Sequence, residues 1–169
     1  MQSIRAKGFT LVELMTVIAI LAVLMAIALP GFQSSFRSNR VATTTNELMA
    51  SVSLARTEAI RSTGHGALCT SADGKACGGD WNSGWIVWTD SNDNGAVDGT
   101  EHVVRYVQSH PKVTITGATT ALAFDNRGRS NAGVVRIDIK PEEYKDGYPV
   151  RCLTVSGVGQ THVDKAACP

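Results

Sequence analysis

The sequence predicts an α+β fold, with one long N-terminal helix packed on an antiparallel β-sheet head. Three observations carry this. Residues Phe9 to Leu29 form a run of 21 residues with a single charged side chain, Glu13. Leu48, Val52, Ala55 and Ala59 then recur at helical spacing. Beyond Gly64 the chain breaks into short apolar runs separated by turn residues.

The apolar run is long enough to cross a bilayer as a helix. The amphipathic stripe continues it, with Glu47, Arg56, Glu58 and Arg61 mostly off the buried face, and Ser62-Thr63-Gly64 supplies a stop. One helix of about fifty residues, about 80 Å long, is expected from Phe9. Strands are expected at Ala67 to Thr70, Trp85 to Thr89, His102 to Val107, Val113 to Thr116, Ala121 to Phe124, Val134 to Ile139, Arg151 to Val155 and Thr161 to Val163. VVRIDI alternates as a half-buried antiparallel strand does.

Composition bounds the function. The chain has 169 residues, 43% hydrophobic, enough for one domain with a core. Arg5 and Lys7 precede the apolar run and Glu13 lies within it, which leaves residues 30–169 with 14 basic and 14 acidic groups. A neutral head lacks the basic excess that drives nonspecific nucleic-acid binding. Cys69, Cys77, Cys152 and Cys168 form an even set beyond a membrane segment, as expected of an exported domain with two disulfides. Three connectivities are open. Cys69–Cys77 and Cys152–Cys168 are favoured, because each closes a short loop rich in Gly, Asp or Ala. No CxxC pair suggests a metal site.

The N-terminus admits an ordinary secretory signal, with Ala26-Ile27-Ala28 as its cleavage site, or a plain membrane anchor. Neither has a use for the Glu13 carboxylate in apolar surroundings, where it is costly without a partner. Lys7-Gly8-Phe9-Thr10-Leu11-Val12-Glu13-Leu14 resembles the type III signal of type IV pilins and type II secretion pseudopilins. That resemblance implies cleavage after Gly8 by a prepilin peptidase, N-methylation of Phe9, and Glu13 as an assembly contact. In the family this glutamate meets the free amine of a neighbouring subunit, and a buried ammonium and carboxylate stabilise each other's charge. Pro30 stands where such proteins often carry a helix-kinking proline. Residues 1–8 would be the cleaved leader, 9–29 the transmembrane and assembly helix, and 30–169 a periplasmic or extracellular head. Arg5 and Lys7 place the N-terminus in the cytoplasm, with the inner membrane as first location.

The head extends the resemblance. LCTSADGKAC, DWNSGWIVWTDSNDNGAVDGTEHVVR, FDNRGR and a late cysteine-bearing strand look like the GspH/FimT-type minor pilins and pseudopilins, over most of residues 45–160. This implies a low-abundance structural component that primes, joins or caps a type IV pilus or type II secretion pseudopilus, with other pilin subunits as partners. The alternative is a DNA-binding minor pilin for uptake in natural transformation. That subgroup carries a G-R-x-R turn where this chain has Gly157-Val158-Gly159-Gln160, leaving Arg127 and Arg129 of NRGR as the candidate DNA contacts.

DSNDNGAVDGTE, residues 90–101, places Asp90, Asn92, Asn94, Asp98 and Glu101 at positions 1, 3, 5, 9 and 12 of an EF-hand calcium loop. A true EF-hand loop joins two helices, whereas WIVWT and HVVRYV flank this one, so a hairpin loop is the favoured reading and calcium the alternative. On that reading the loop's acids are dispensable for stability. The four histidines lack metalloprotease spacing and Ser156 lacks a nucleophile elbow. Trp81, Trp85 and Trp88 read as core and sheet-edge residues. No enzyme and no required cofactor is expected.

Overall fold

A computed structural model describes residues 8–62, 64–99 and 101–169. The leader residues Met1 to Lys7 therefore lie outside the described residues, as do the expectations placed on Arg5 and Lys7. Helix α1 runs from Leu11 to Ser62, through Pro30. The chain divides into two compact units, one ending at Phe36 and one comprising Arg37–Pro169.

In the first unit the apolar side chains from Phe9 to Leu29 are exposed. By length and composition this part of α1 can cross a membrane.

The second unit packs the rest of α1 against two four-stranded antiparallel sheets. Strands β1 (His65–Thr70), β2 (Gly84–Asp90), β3 (Val103–Gln108) and β5 (Ala121–Phe124) form one sheet in the order β3-β2-β1-β5. Strands β4 (Val113–Gly117), β6 (Val135–Pro141), β7 (Arg151–Val155) and β8 (Thr161–Asp164) form the other, in the order β4-β6-β7-β8. Each strand lies within two or three residues of its expected place.

Leu48, Val52, Ala55 and Ala59, the predicted stripe, are fully buried, together with Val41 two turns earlier. They meet Leu68, Trp85, Val87 and Phe124 from the first sheet and Ile137, Ile139, Leu153 and Val155 from the second in one core. Period-two alternation explains the division of β2: Trp85 and Val87 face this core, while Ile86 and Trp88 join Ala67 and Cys69 in a smaller cluster. Val97, from the 90–101 loop, packs on that smaller cluster. The loop therefore closes an apolar surface of the first sheet.

Polar groups are satisfied where the layers meet. The Trp85 indole N–H donates to Ser51 Oγ at 2.9 Å, and that of Trp81 to the Thr119 carbonyl at 2.8 Å. A 3-10 turn, Trp81–Ser83, precedes β2; Asp80 caps it, accepting from the Asn82 and Ser83 amides at 3.0 Å each. Asn82 then exchanges two hydrogen bonds with the Ile115 backbone in β4, tying the first sheet to the second. Glu58 departs from the sequence expectation. It is 8% exposed and accepts from Arg61, three residues on, at 2.6 Å.

Cys69 is bonded to Cys77 and Cys152 to Cys168, so all four cysteines are paired. The second bridge holds the C-terminal segment where the Cys168 amide donates to Asp138 in β6 at 2.8 Å.

Candidate functional site

Three places were singled out in the sequence, and they have different geometries. At the start of α1, Thr10 Oγ1 accepts from the Glu13 amide at 3.2 Å, a helix-capping contact. The Thr16 hydroxyl donates to the Glu13 carbonyl at 2.9 Å. Gly8, Phe9 and Glu13 are exposed, Phe9 at 83%. Among the described residues, the Glu13 carboxylate has no hydrogen-bond or ion-pair partner.

The 90–101 loop carries the most side-chain hydrogen bonds of the three among the described residues. Asp90, fully buried at the end of β2, accepts from the Asn94 amide at 3.1 Å and the Gly95 amide at 2.9 Å. Glu101, also buried, accepts from the Ser91 amide at 2.8 Å and the Asp98 amide at 3.3 Å. Asn92 and Asn94 turn their side-chain amide nitrogens towards Asp98 Oδ2, at 2.6 and 3.2 Å. Their side-chain oxygens take the Asn94 and Ala96 backbone amides. The side-chain oxygens of Asp90, Asn92, Asn94 and Glu101 thus accept the loop's own N–H groups, and the Asn92 and Asn94 amide donors face Asp98. Among the described residues, no group of three or more His, Cys, Asp or Glu converges as a metal site would. Asp90 and Glu101 are the acceptors on which the loop is folded, which argues against treating them as dispensable for stability.

The NRGR turn is organised by Asp125. Its Oδ1 accepts from the Arg127 and Arg129 amides at 2.9 and 2.8 Å, and its Oδ2 meets Arg129 Nε at 2.9 Å. These backbone donors, with the Arg129 guanidinium, hold the Asp125 carboxyl below the usual carboxylate range. Arg129's charge is thereby offset, while Arg127 is exposed and forms no ion pair among the described residues. Arg56, which the sequence placed merely off the buried stripe, ties this turn to α1: its Nε donates to the Gly128 carbonyl at 3.0 Å. No local motif could have marked Arg56, since its partner lies 72 residues away.

Three of the four histidines make isolated contacts with single carboxylates. His110 Nε2 stands 2.8 Å from Glu47, His65 Nδ1 3.5 Å from Asp93, and His162 Nε2 3.1 Å from Asp164.

Comparison with known proteins fits this geometry. Residues 4–29 match the model of the prokaryotic N-terminal methylation motif, and residues 44–159 match that of the type II transport protein GspH. The type IV major alpha-pilin and the fimbrial protein Q of Moraxella bovis are each 50% identical over 44 residues, 26% of this chain. The chain spans only 28% of the length of these two relatives. Among solved structures, the type IV minor pilin FimU of Pseudomonas aeruginosa superposes with a TM-score of 0.60 at 19% identity, covering 75% of this chain and 89% of FimU. The minor pseudopilin EpsH from the type 2 secretion system of Vibrio cholerae gives 0.53 at 11% identity, covering 75% and 97%. At these identities the two structures establish a shared fold. The GspH match spans more than half of the sequence, and it follows a methylation motif and an apolar helix, so the chain belongs to the GspH family.

Proposed function

We propose that this protein is a structural minor pilin or pseudopilin, held in the inner membrane by the apolar part of α1 and then drawn into a type IV pilus or type II secretion pseudopilus. The observation that carries the reading is Glu13, a carboxylate set without a partner in a run of exposed apolar side chains. Such a group is costly in lipid. Packing among the helices of other subunits offers both the apolar contacts and an ammonium to meet it. A prepilin peptidase supplies that ammonium by cutting after Gly8 and leaving Phe9 as the new N-terminus. The head, stapled by Cys69–Cys77 and Cys152–Cys168, is the part a neighbouring subunit or a surface would meet.

DNA uptake is the weaker reading on the same geometry. Nucleic-acid affinity grows with the number of phosphates neutralised, and one of the two candidate arginines is already paired with Asp125. The test is Glu13→Leu in the full chain. Membrane insertion and cleavage should persist, while the amount recovered in sheared filaments falls. Wild-type recovery in filaments would refute the assembly role of Glu13.

A further inference from the structure

A groove of about 480 Å³ opens between α1 and the turn joining β7 to β8, walled by Ser53, Arg56, Thr57 and Ile60 on one side and Gly159, Gln160 and Thr161 on the other. We propose that it is a carboxylate-recognition site that receives an acidic segment of a neighbouring subunit.

Arg56 is the reason. A guanidinium has five N–H donors in a rigid plane. One, on Nε, is fixed by the Gly128 carbonyl at 3.0 Å. Among the described residues, the two terminal nitrogens have no acceptor and Arg56 forms no ion pair. The group is held at its base and open at its fork, the part that matches a carboxylate in two parallel hydrogen bonds.

Two turns are shaped around this side chain. Gly128 and Gly159 adopt φ of +73° and +75°, a region that favours glycine. A Cβ on Gly128 would come within 2.7 Å of Arg56 Nε, and one on Gly159 would overlap the Gly128 carbonyl oxygen. The surroundings suit an anion. No acidic side chain is among the described residues that line the groove, the polar Gln160 and Thr161 line its other wall, and Arg127 is exposed on the adjoining turn.

The occupant is a peptide carboxylate rather than a nucleic acid. Single-strand binders combine a run of cations with aromatic platforms for the bases. This groove has one unpaired guanidinium and no aromatic wall, and Ile60, half exposed, offers an aliphatic contact instead. The proposal rests on the assembly reading only for what carries the acidic segment.

The test is fluorescence anisotropy on the full chain in neutral detergent micelles. The probe is fluorescein-labelled tetraglutamate, with tetraglutamine and a short oligothymidylate as comparisons. Tetraglutamate should bind, more weakly as salt rises, and Arg56→Gln should weaken it about tenfold or more. Ser53→Tyr, which fills the groove and leaves the Arg56–Gly128 bond in place, should also abolish binding. It decides the matter if Arg56→Gln does not fold. Equal binding of tetraglutamine, or tetraglutamate binding unchanged in the folded variants, would overturn the proposal. So would oligothymidylate binding that the same substitutions abolish, since the groove would then belong to nucleic acid. None of these outcomes bears on filament recovery of the Glu13 variant, so the two readings fail separately.

Discussion

Gly66 in β1 lies against Ala55 in α1 with no room between the two backbones. A Cβ on Gly66 would overlap the Ala55 carbonyl oxygen and come within 2.6 Å of the Ala59 amide nitrogen. The helix ends at Ser62 and β1 begins at His65, so the chain must turn back over the face it has just formed. Small residues on both elements permit that. Gly66→Ala is therefore expected to destabilise the protein by about 1–3 kcal/mol or more, the usual range for overpacking. Denaturant melts of the full chain in detergent measure it, and an unchanged midpoint would show that the contact is looser than described.

The sequence made α1 legible because its signal is periodic and long: Leu48, Val52, Ala55 and Ala59 all lie on the buried face. Strands were legible because turn residues separate them. What the sequence did not reveal was long-range pairing. Nothing local shows that β5 pairs with β1, that Arg56 reaches Gly128, or that Val97 returns to the cluster of Ala67, Cys69, Ile86 and Trp88. The burial within the 90–101 loop was not legible for a related reason. Its spelling gave the ligand-like spacing, but the burial of Asp90 and Glu101 comes from the sheet beneath them.

That burial sets a prediction. Asp90→Ala with Glu101→Ala removes the carboxylate acceptors of four backbone N–H groups, of which that of Asn94 keeps Asn92 Oδ1. The double variant should lose about 2–4 kcal/mol, given that hydrogen bonds to charged groups contribute about 1.5–3 kcal/mol each and water recovers part. Thermal melts with and without millimolar calcium complete the test. The wild-type midpoint should not move, whereas a calcium-dependent rise that the double variant lacks would identify a ligand set.

The disulfides stabilise chiefly through the unfolded chain. Bridges closing separations of 8 and 16 residues are worth about 2.5 and about 3 kcal/mol on the loop-entropy account. Cys152→Ser with Cys168→Ser should thus cost slightly more than Cys69→Ser with Cys77→Ser. The Cys69 pair also removes a sulfur from the cluster with Ile86 and Trp88, which works the other way. Urea melts of the two double variants rank them. No loss in either would mean that the bridges do not form.

Acid stability follows from the exposed turns. The Ser83 hydroxyl, with the Asn82 side chain and both their amides, holds Asp80 below the ordinary carboxylate range. The Lys75 and Ala76 amides do the same for Asp73. A carboxylate depressed in the folded state contributes stability that is present above the unfolded value, about 3.9. That contribution is lost as pH falls through the folded value. Stability should be level from about pH 5 upwards and decline below about pH 4. Asp80→Asn should flatten the decline. An identical acid limb in that variant would remove Asp80 from the account.

The central claim is that Gly8, Phe9 and Glu13 mark an assembly subunit rather than an exported or simply anchored protein. Intact mass of the membrane-extracted chain, produced together with a prepilin peptidase, tests it most directly. The account predicts a chain that begins at Phe9 and is heavier by one methyl group. A chain beginning at Leu29, after Ala26-Ile27-Ala28, or one still carrying residues 1–8, would contradict it.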